Sequence, residues 1–155
     1  MSKTHVTQII SGFQTGGDQG GSYAGEHLGL KLGGWVPKGR RTDAGIISME
    51  LMTRFHLQEH PSPAYPPRTE QNVIDSDGTV IFGNPDSPGC SLTLRLCKKH
   101  NKYWLIMEEV AYEAKELRRW LDAYDIAVLN VAGNRERTNP GIYQRTYDTI
   151  AEALR

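Results

Sequence analysis

Three short segments carry the residue types that grip a phosphate. The first is Ser11-Gly12-Phe13-Gln14-Thr15-Gly16-Gly17-Asp18. Glycine lets backbone N–H groups approach an anion, and a helix beginning just after such a turn favours negative charge at its N-terminus. Ser11, Gln14 and Thr15 add side-chain hydrogen bonds. Gly16 and Gly17 are expected closest to the phosphate. The segment is neither a G-x-G-x-x-G nor a Walker sequence. Its plainer reading is a turn with Asp18 capping a helix.

The second segment is Asp77-Gly78-Thr79-Val80-Ile81-Phe82-Gly83 followed by Pro88-Gly89-Cys90-Ser91-Leu92-Thr93. An apolar run again meets a small-residue turn, although Ser91 or Thr93 would also serve as a simple cap. The third, Asn130-Val131-Ala132-Gly133-Asn134-Arg135-Glu136-Arg137, ends in two arginines suited to charge-assisted contact with a phosphate, or to water. Lys38-Gly39-Arg40-Arg41 would cover an anion, unless it is a solvated charge run. Arg68 and Asn72 are four apart, on one face of a helix.

Other reactive types are weakly placed. His56 and His60 are four apart, but Pro61 follows and no third ligand stands at metal-site spacing, so no metal is expected. Glu108-Glu109 reads as a solvated strand end. Cys90 and Cys97, seven apart, would lie on one helix face too far apart to bridge, and are read as reduced thiols of a cytoplasmic protein.

The elements that would position these residues alternate. Residues 5–10 (HVTQII), 79–82 (TVIF), 103–107 (YWLIM) and 126–131 (IAVLNV) are strands. Helices are expected over 21–32, closed by Gly33 and Gly34, and over 68–75, 91–100, 113–124 and 140–154. Leu117, Trp120, Leu121 and Tyr124 form a buried stripe on the fourth. Trp35-Val36 is a short extended piece. Residues 37–67 are irregular, and a loop of that length is commonly functional or disordered. Apolar strands alternating with helices specify α/β architecture: a Rossmann-like three-layer sandwich with a central parallel sheet, whose ligands bind beyond the strand carboxyl ends.

Composition narrows the classes. The chain has 155 residues, enough for one domain spanning 1–155, and no repeat or second-domain boundary is evident. Lys+Arg and Asp+Glu are both 18, so no general field attracts nucleic acid or an anionic membrane. No run approaches the length of a membrane span, and the start, Met-Ser-Lys-Thr-His, carries no apolar leader.

The sequence also resembles the putative molybdenum carrier family, circularly permuted relatives of YpsA and lysine-decarboxylase-like proteins within the SLOG superfamily. The resemblance rests on SGFQTGGD at 11–18, GGWVPKGRR at 33–41, LQEHPSPAY at 57–65, RTEQNVIDSDGTVIF at 68–82, SLTL at 91–94 and LNVAGNRERTNPGIY at 129–143. It implies a SLOG-type fold and a non-catalytic protein that binds a phosphorylated heterocycle. The ligand is either molybdenum cofactor, carried as cargo, or a nucleotide-derived signal such as an ADP-ribose derivative.

On that reading the three turns converge on one anion pocket. Gly12 to Asp18, Gly83, Gly89, Cys90, Ser91, Thr93, Gly133, Asn134 and Arg135 line it, with Lys38, Arg40, Arg41, Arg68 and Asn72 around it and Phe13 or Trp35 against the ring. The chain departs from the family at Phe13, where a glycine is usual, at Gln19-Gly20, where Arg-Ala is usual, and at Asn134, where proline is usual. The alternative is a nucleotide or nucleoside-phosphate hydrolase using Asp18, Glu70 or Asp75. Phosphoribohydrolase relatives carry Pro-Gly-Gly-x-Gly-Thr-x-Glu-Glu, and here Arg95 and Leu96 stand in the glutamate positions. Such relatives commonly associate, which implies a homo-oligomer, dimer or tetramer.

Overall fold

The computed structural model describes residues 4–108 and 113–155. Met1–Lys3 and Glu109, on which two of the readings above partly rest, lie outside the described residues. The chain runs β1 (Gln8–Ile10), α1 (Gly17–His27), β2 (Lys31–Val36), β3 (Arg41–Thr42), β4 (Gly45–Ile46), α2 (Met49–Arg54), β5 (Leu57–Glu59) and α3 (Tyr65–Asp75). It continues through β6 (Gly78–Phe82), α4 (Pro88–Lys99), β7 (Tyr103–Met107), α5 (Ala114–Ala123), β8 (Val128–Gly133) and α6 (Ile142–Leu154).

Six strands form one sheet in the order β5-β2-β1-β8-β6-β7, and every pairing in it is parallel. Ile9-Ile10, Val80-Ile81, Leu105-Ile106 and Val128-Leu129 all belong to it, as the alternating pattern predicts. α1, α6 and α5 pack together in one layer, and α3 packs on α4 in another. The main core, built on Ile9, Val80, Leu117, Leu129, Val131 and Ile150, fills the space under α1, α5 and α6. A second cluster joins Phe13 to Leu32, Val36, Met52, Phe55 and Leu57. All five residues of β6 are buried, as a strand covered on both faces requires.

The sheet order creates a topological switch. β1 leads through α1 to β2 on one side, β6 leads through α4 to β7 on the other, and the late strand β8 lies between β1 and β6. The loops leaving β1 and β6 therefore diverge, opening a crevice above β8 where open α/β sheets bind ligands.

Several local expectations are overturned. The first helix starts at Gly17, not at 21, and ends at His27. Its glycines lower helix propensity but admit close packing: a Cβ on Gly21 would lie 2.5 Å from Val131. Gly33 and Gly34 do not close that helix but sit inside β2, between β1 and β5. Residues 37–67 are not irregular throughout. They hold the β3–β4 hairpin, α2, edge strand β5 and the start of α3, where Pro66 and Pro67 occupy the first turn. Proline fits there because first-turn N–H groups have no helical acceptor. Tyr124 lies past the end of α5, 46% exposed, and stacks on Tyr103 with ring centroids 4.2 Å apart.

Candidate functional site

The crevice is a cavity of about 540 Å³. The turn after β1, the N-terminal ends of α3 and α4, and the end of β8 with its following turn form its walls. Arg68, Arg135, Arg137 and Asp18 are its charged lining residues.

Arg68 is the central group. It projects from the first turns of α3, which is clamped to β2 one turn later by Asn72. The Asn72 amide donates to the Trp35 carbonyl (3.1 Å) and accepts from the Trp35 N–H (2.8 Å). Arg68 is 6% exposed. Its Nη1 lies 3.8 Å from Asp18 Oδ2, beyond hydrogen-bond reach, and its buried Nε has no partner among the described residues. Burial lowers the guanidinium pKa, with Asp18 and Tyr65 opposing the shift and Arg135 adding to it. A buried cation with an unsatisfied donor costs free energy unless an anion reaches it.

Gly12 makes the room for this group, because a Cβ there would lie 1.4 Å from Arg68 Nη1. The carboxyl of Asp18, in the first turn of α1, is pushed up to about 6. Burial is the main cause; Arg68, the Gln14 and Gly133 backbone N–H groups and Arg135 pull the other way.

α4 supplies the second anion-seeking feature. Its first turn, Pro88-Gly89-Cys90, faces the cavity, and no side chain caps it. The Gly89 and Cys90 N–H groups find no acceptor among the described residues. A helix N-terminus with free N–H groups favours an anion. The Cys90 thiol also lines the cavity, its pKa raised by burial. Cys90 and Cys97 are free thiols, both on α4.

Tyr65, to which the sequence reading assigns no place at the site, organises the mouth. The guanidinium groups of Arg68 and Arg135 lie 5.3 Å from its ring centroid, and that of Arg41 5.8 Å. Arg135 pairs with Asp43 at 2.8 Å and Arg137 with the same carboxylate at 3.5 Å. Asp43 belongs to the turn between β3 and β4, and its N–H donates to Gln14 Oε1 (2.9 Å), so the hairpin is tied to two of the three turns. Gln14 Nε2 is buried without a partner among the described residues.

Of the residues singled out from sequence, Gly12, Gln14, Asp18, Arg68, Asn72, Gly89, Cys90, Thr93, Gly133, Asn134 and Arg135 line this cavity. Asn134 does so as a structural clamp: its amide binds both main-chain groups of Asn84 together with Ser87 Oγ and Asn139. Gly83, at φ 104°, packs against that amide and not the cavity.

Phe13 does not line this cavity. It is buried against Tyr23 and Phe55, at centroid distances of 6.1 and 4.9 Å. Trp35 lines a separate cavity of about 390 Å³ on β1 and β2, and its Nε1–H donates to Asp75 (2.8 Å). Lys38 and Arg41 are exposed, and Arg40, Thr15 and Ser91 also stand outside the lining. Gly16 and Gly17 serve chain packing. Cβ atoms there would lie 2.2 Å from the Asn134 carbonyl and 2.7 Å from Gly133 Cα.

The carboxylates of the hydrolase alternative are mostly elsewhere. Glu70 pairs with Lys99 and His100, and Asp75 bonds Trp35 and Gln71. Arg95 is exposed and Leu96 buried against Val73, both away from the cavity.

A family model described as the circularly permutated YpsA SLOG family matches residues 9–154. Among solved structures, the chain is similar to a putative molybdenum carrier protein from Syntrophus aciditrophicus SB. Identity is 34%, coverage is 99% of this chain and 98% of that one, and the TM-score is 0.90. No curated protein matches. With a parallel six-stranded sheet, a crevice at its switch point and a match spanning nearly every residue, this chain belongs to the circularly permutated YpsA SLOG family.

Proposed function

We propose that the protein binds, without chemical change, a phosphorylated heterocycle held in the cavity above β8. The ligand is molybdenum cofactor as cargo or a nucleotide-derived molecule such as an ADP-ribose derivative. One observation carries this reading: Arg68, a buried guanidinium whose Nε has no partner among the described residues, faces a cavity that the open first turn of α4 also enters. A phosphate between them would satisfy both. The volume suits a ligand of this size, since small-molecule pockets run from about 300 to 1,000 Å³. For the cofactor, the described residues offer an anion grip and one thiol, Cys90, rather than a cage of metal ligands. Asp18 alone among the lining residues is a carboxylate, which leaves a hydrolase without an acid–base pair. Two free, buried cysteines favour a reducing, cytoplasmic setting.

Calorimetry against pterin phosphates, nucleotides and ADP-ribose derivatives tests the reading. At least one is expected to bind and to be recovered intact; if none binds, the reading fails. Arg135→Ala is expected to weaken binding by roughly threefold to tenfold, about 1 kcal/mol. The effect is modest because this side chain is 36% exposed and already paired with Asp43. An unchanged affinity would remove Arg135 from the ligand's contacts.

Binding should also depend on pH through Asp18. Above pH 6 its carboxylate repels an anion and draws on Arg68; below 6 it is neutral. For a ligand of constant charge, such as a pyrophosphate diester, affinity is expected to rise about fivefold to tenfold between pH 8 and pH 5. Asp18→Asn should bind at pH 8 as tightly as wild type does at pH 5. Parallel titrations of both proteins provide the check, and a wild-type affinity that does not change with pH would oppose the proposed charge coupling.

A further inference from the structure

Among the described residues, β7 is an edge strand with an uncovered, apolar sequence. On one side it pairs with β6. On the other, Tyr103 is 49% and Trp104 40% exposed, and Tyr124 adds an exposed ring stacked on Tyr103. Lys98 Nζ lies 5.5 Å from the Trp104 ring centroid. Soluble proteins ordinarily guard such an edge with proline, a bulge or an inward charge, and residues 103–107 (YWLIM) contain none of these.

The charges lie at the two ends of the segment and are opposite in sign. Lys102 precedes the strand and Glu108 follows it, and neither has an ion-pair partner among the described residues. We propose that β7 is a self-complementary interface, on which a second copy of this chain pairs antiparallel about a two-fold axis beside Leu105. In that register Lys102 meets the partner's Glu108 at both ends. Trp104 meets the partner's Ile106, and Tyr103 meets the partner's Met107.

The main chain permits this register. The Met107 carbonyl accepts from Gly83 N–H, so Met107 turns its main-chain groups inward. By alternation Tyr103 and Leu105 do the same, while Trp104, Ile106 and Glu108 present theirs to the open side; the Lys102 N–H is bonded to the Cys97 carbonyl of α4 (2.9 Å), so Lys102 offers the interface its side chain. Antiparallel hydrogen bonds join opposed residues whose groups both face outward. Trp104 and Ile106 across the axis satisfy that condition, and Leu105 becomes the non-bonded central pair. Shifting the register by two residues keeps the hydrogen bonds but sets Lys102 against the partner's Ile106, or Glu108 against the partner's Trp104. Charge complementarity thus selects one register, and the two sheets join into one continuous sheet. Such an isologous contact closes on itself as a dimer.

Sedimentation velocity over a range of micromolar concentrations tests this on the intact protein. Wild type is expected to be a dimer. Lys102→Glu alone sets glutamate against glutamate twice, and Glu108→Lys alone sets lysine against lysine. Each should weaken dimerisation at least tenfold, while their circular dichroism stays that of wild type. The double variant K102E/E108K restores both pairs and should return the dissociation constant to within about threefold of wild type. A monomeric wild type overturns the proposal. So does a dimer or tetramer that either single reversal leaves intact, or a double variant no better than the single ones.

Discussion

Replacing Arg68 by methionine is expected to weaken anion binding about a hundredfold or more, on the order of 3 kcal/mol. The size follows from burial. The guanidinium is nearly withdrawn from water and its Nε has no acceptor among the described residues, so a phosphate gains a charge-assisted bond with little competition. Stability should respond with a defined sign. Without Arg68, Asp18 loses the cation that pulls its pKa down, and its folded value climbs above 6. An acid whose folded pKa is raised contributes stability that is complete below its unfolded pKa and lost as pH rises through the folded one. The variant should therefore lose most of its stability at pH 8 and little at pH 4, and Asp18→Asn in the same background should remove that dependence. Urea melts at the two pH values and calorimetry at one provide the measurements. Wild-type affinity in Arg68→Met would show that the cavity does not recognise its ligand through this group.

Gly34→Ala is expected to destabilise the fold by about 4 kcal/mol or more, enough to unfold a marginal domain. Gly34 has φ 134°, where side chains are strained, and a Cβ there would lie 1.9 Å from the Ser11 carbonyl oxygen. That backbone is the first residue past β1 and starts the turn that passes Arg68 at Gly12 and leads to Asp18, so it cannot simply yield. Gly33→Ala is the control: its Cβ would come 3.0 Å from Gln8 Nε2, the movable end of a side chain, and a loss near 1 kcal/mol is expected. Equal losses from the two substitutions, read from chemical denaturation, would contradict the argument.

These two glycines also mark where the sequence misleads. Two adjacent glycines after an amphipathic stretch read as a helix stop, because left-handed residues terminate helices. Here they lie within a strand, and the need for Gly34 arises from the neighbouring strand end. Gly16 and Gly17 misled in the same way. They look like a phosphate cradle, yet their missing Cβ atoms leave room for the backbone at residues 133–136. Phe13 is aromatic at a strand-end turn, which suggests stacking on a ligand, but its ring completes a cluster with Phe55, over forty residues later.

What the sequence by itself determined was the parallel α/β layering, the strand cores and the convergence of Gly12, Asp18, Gly89, Cys90, Gly133 and Arg135 on one crevice. The layering and strand cores follow from hydrophobic periodicity, which is written locally, whereas the convergence of the turns is what the family resemblance implies, together with the rule that ligands bind beyond strand carboxyl ends. Only the tertiary structure decided which cation matters. Lys38, Arg40, Arg41, Arg68 and Arg135 are indistinguishable as residue types, and desolvation separates them: Arg68 is buried beside Gly12, whereas Lys38 and Arg41 remain in water. The same holds for Asp18, whose raised pKa comes from burial contributed by distant segments, and for Tyr65, whose ring gathers arginines from three parts of the chain. Side-chain chemistry is set by the sequence, but dielectric environment and partner distance are set by contacts between residues far apart along it.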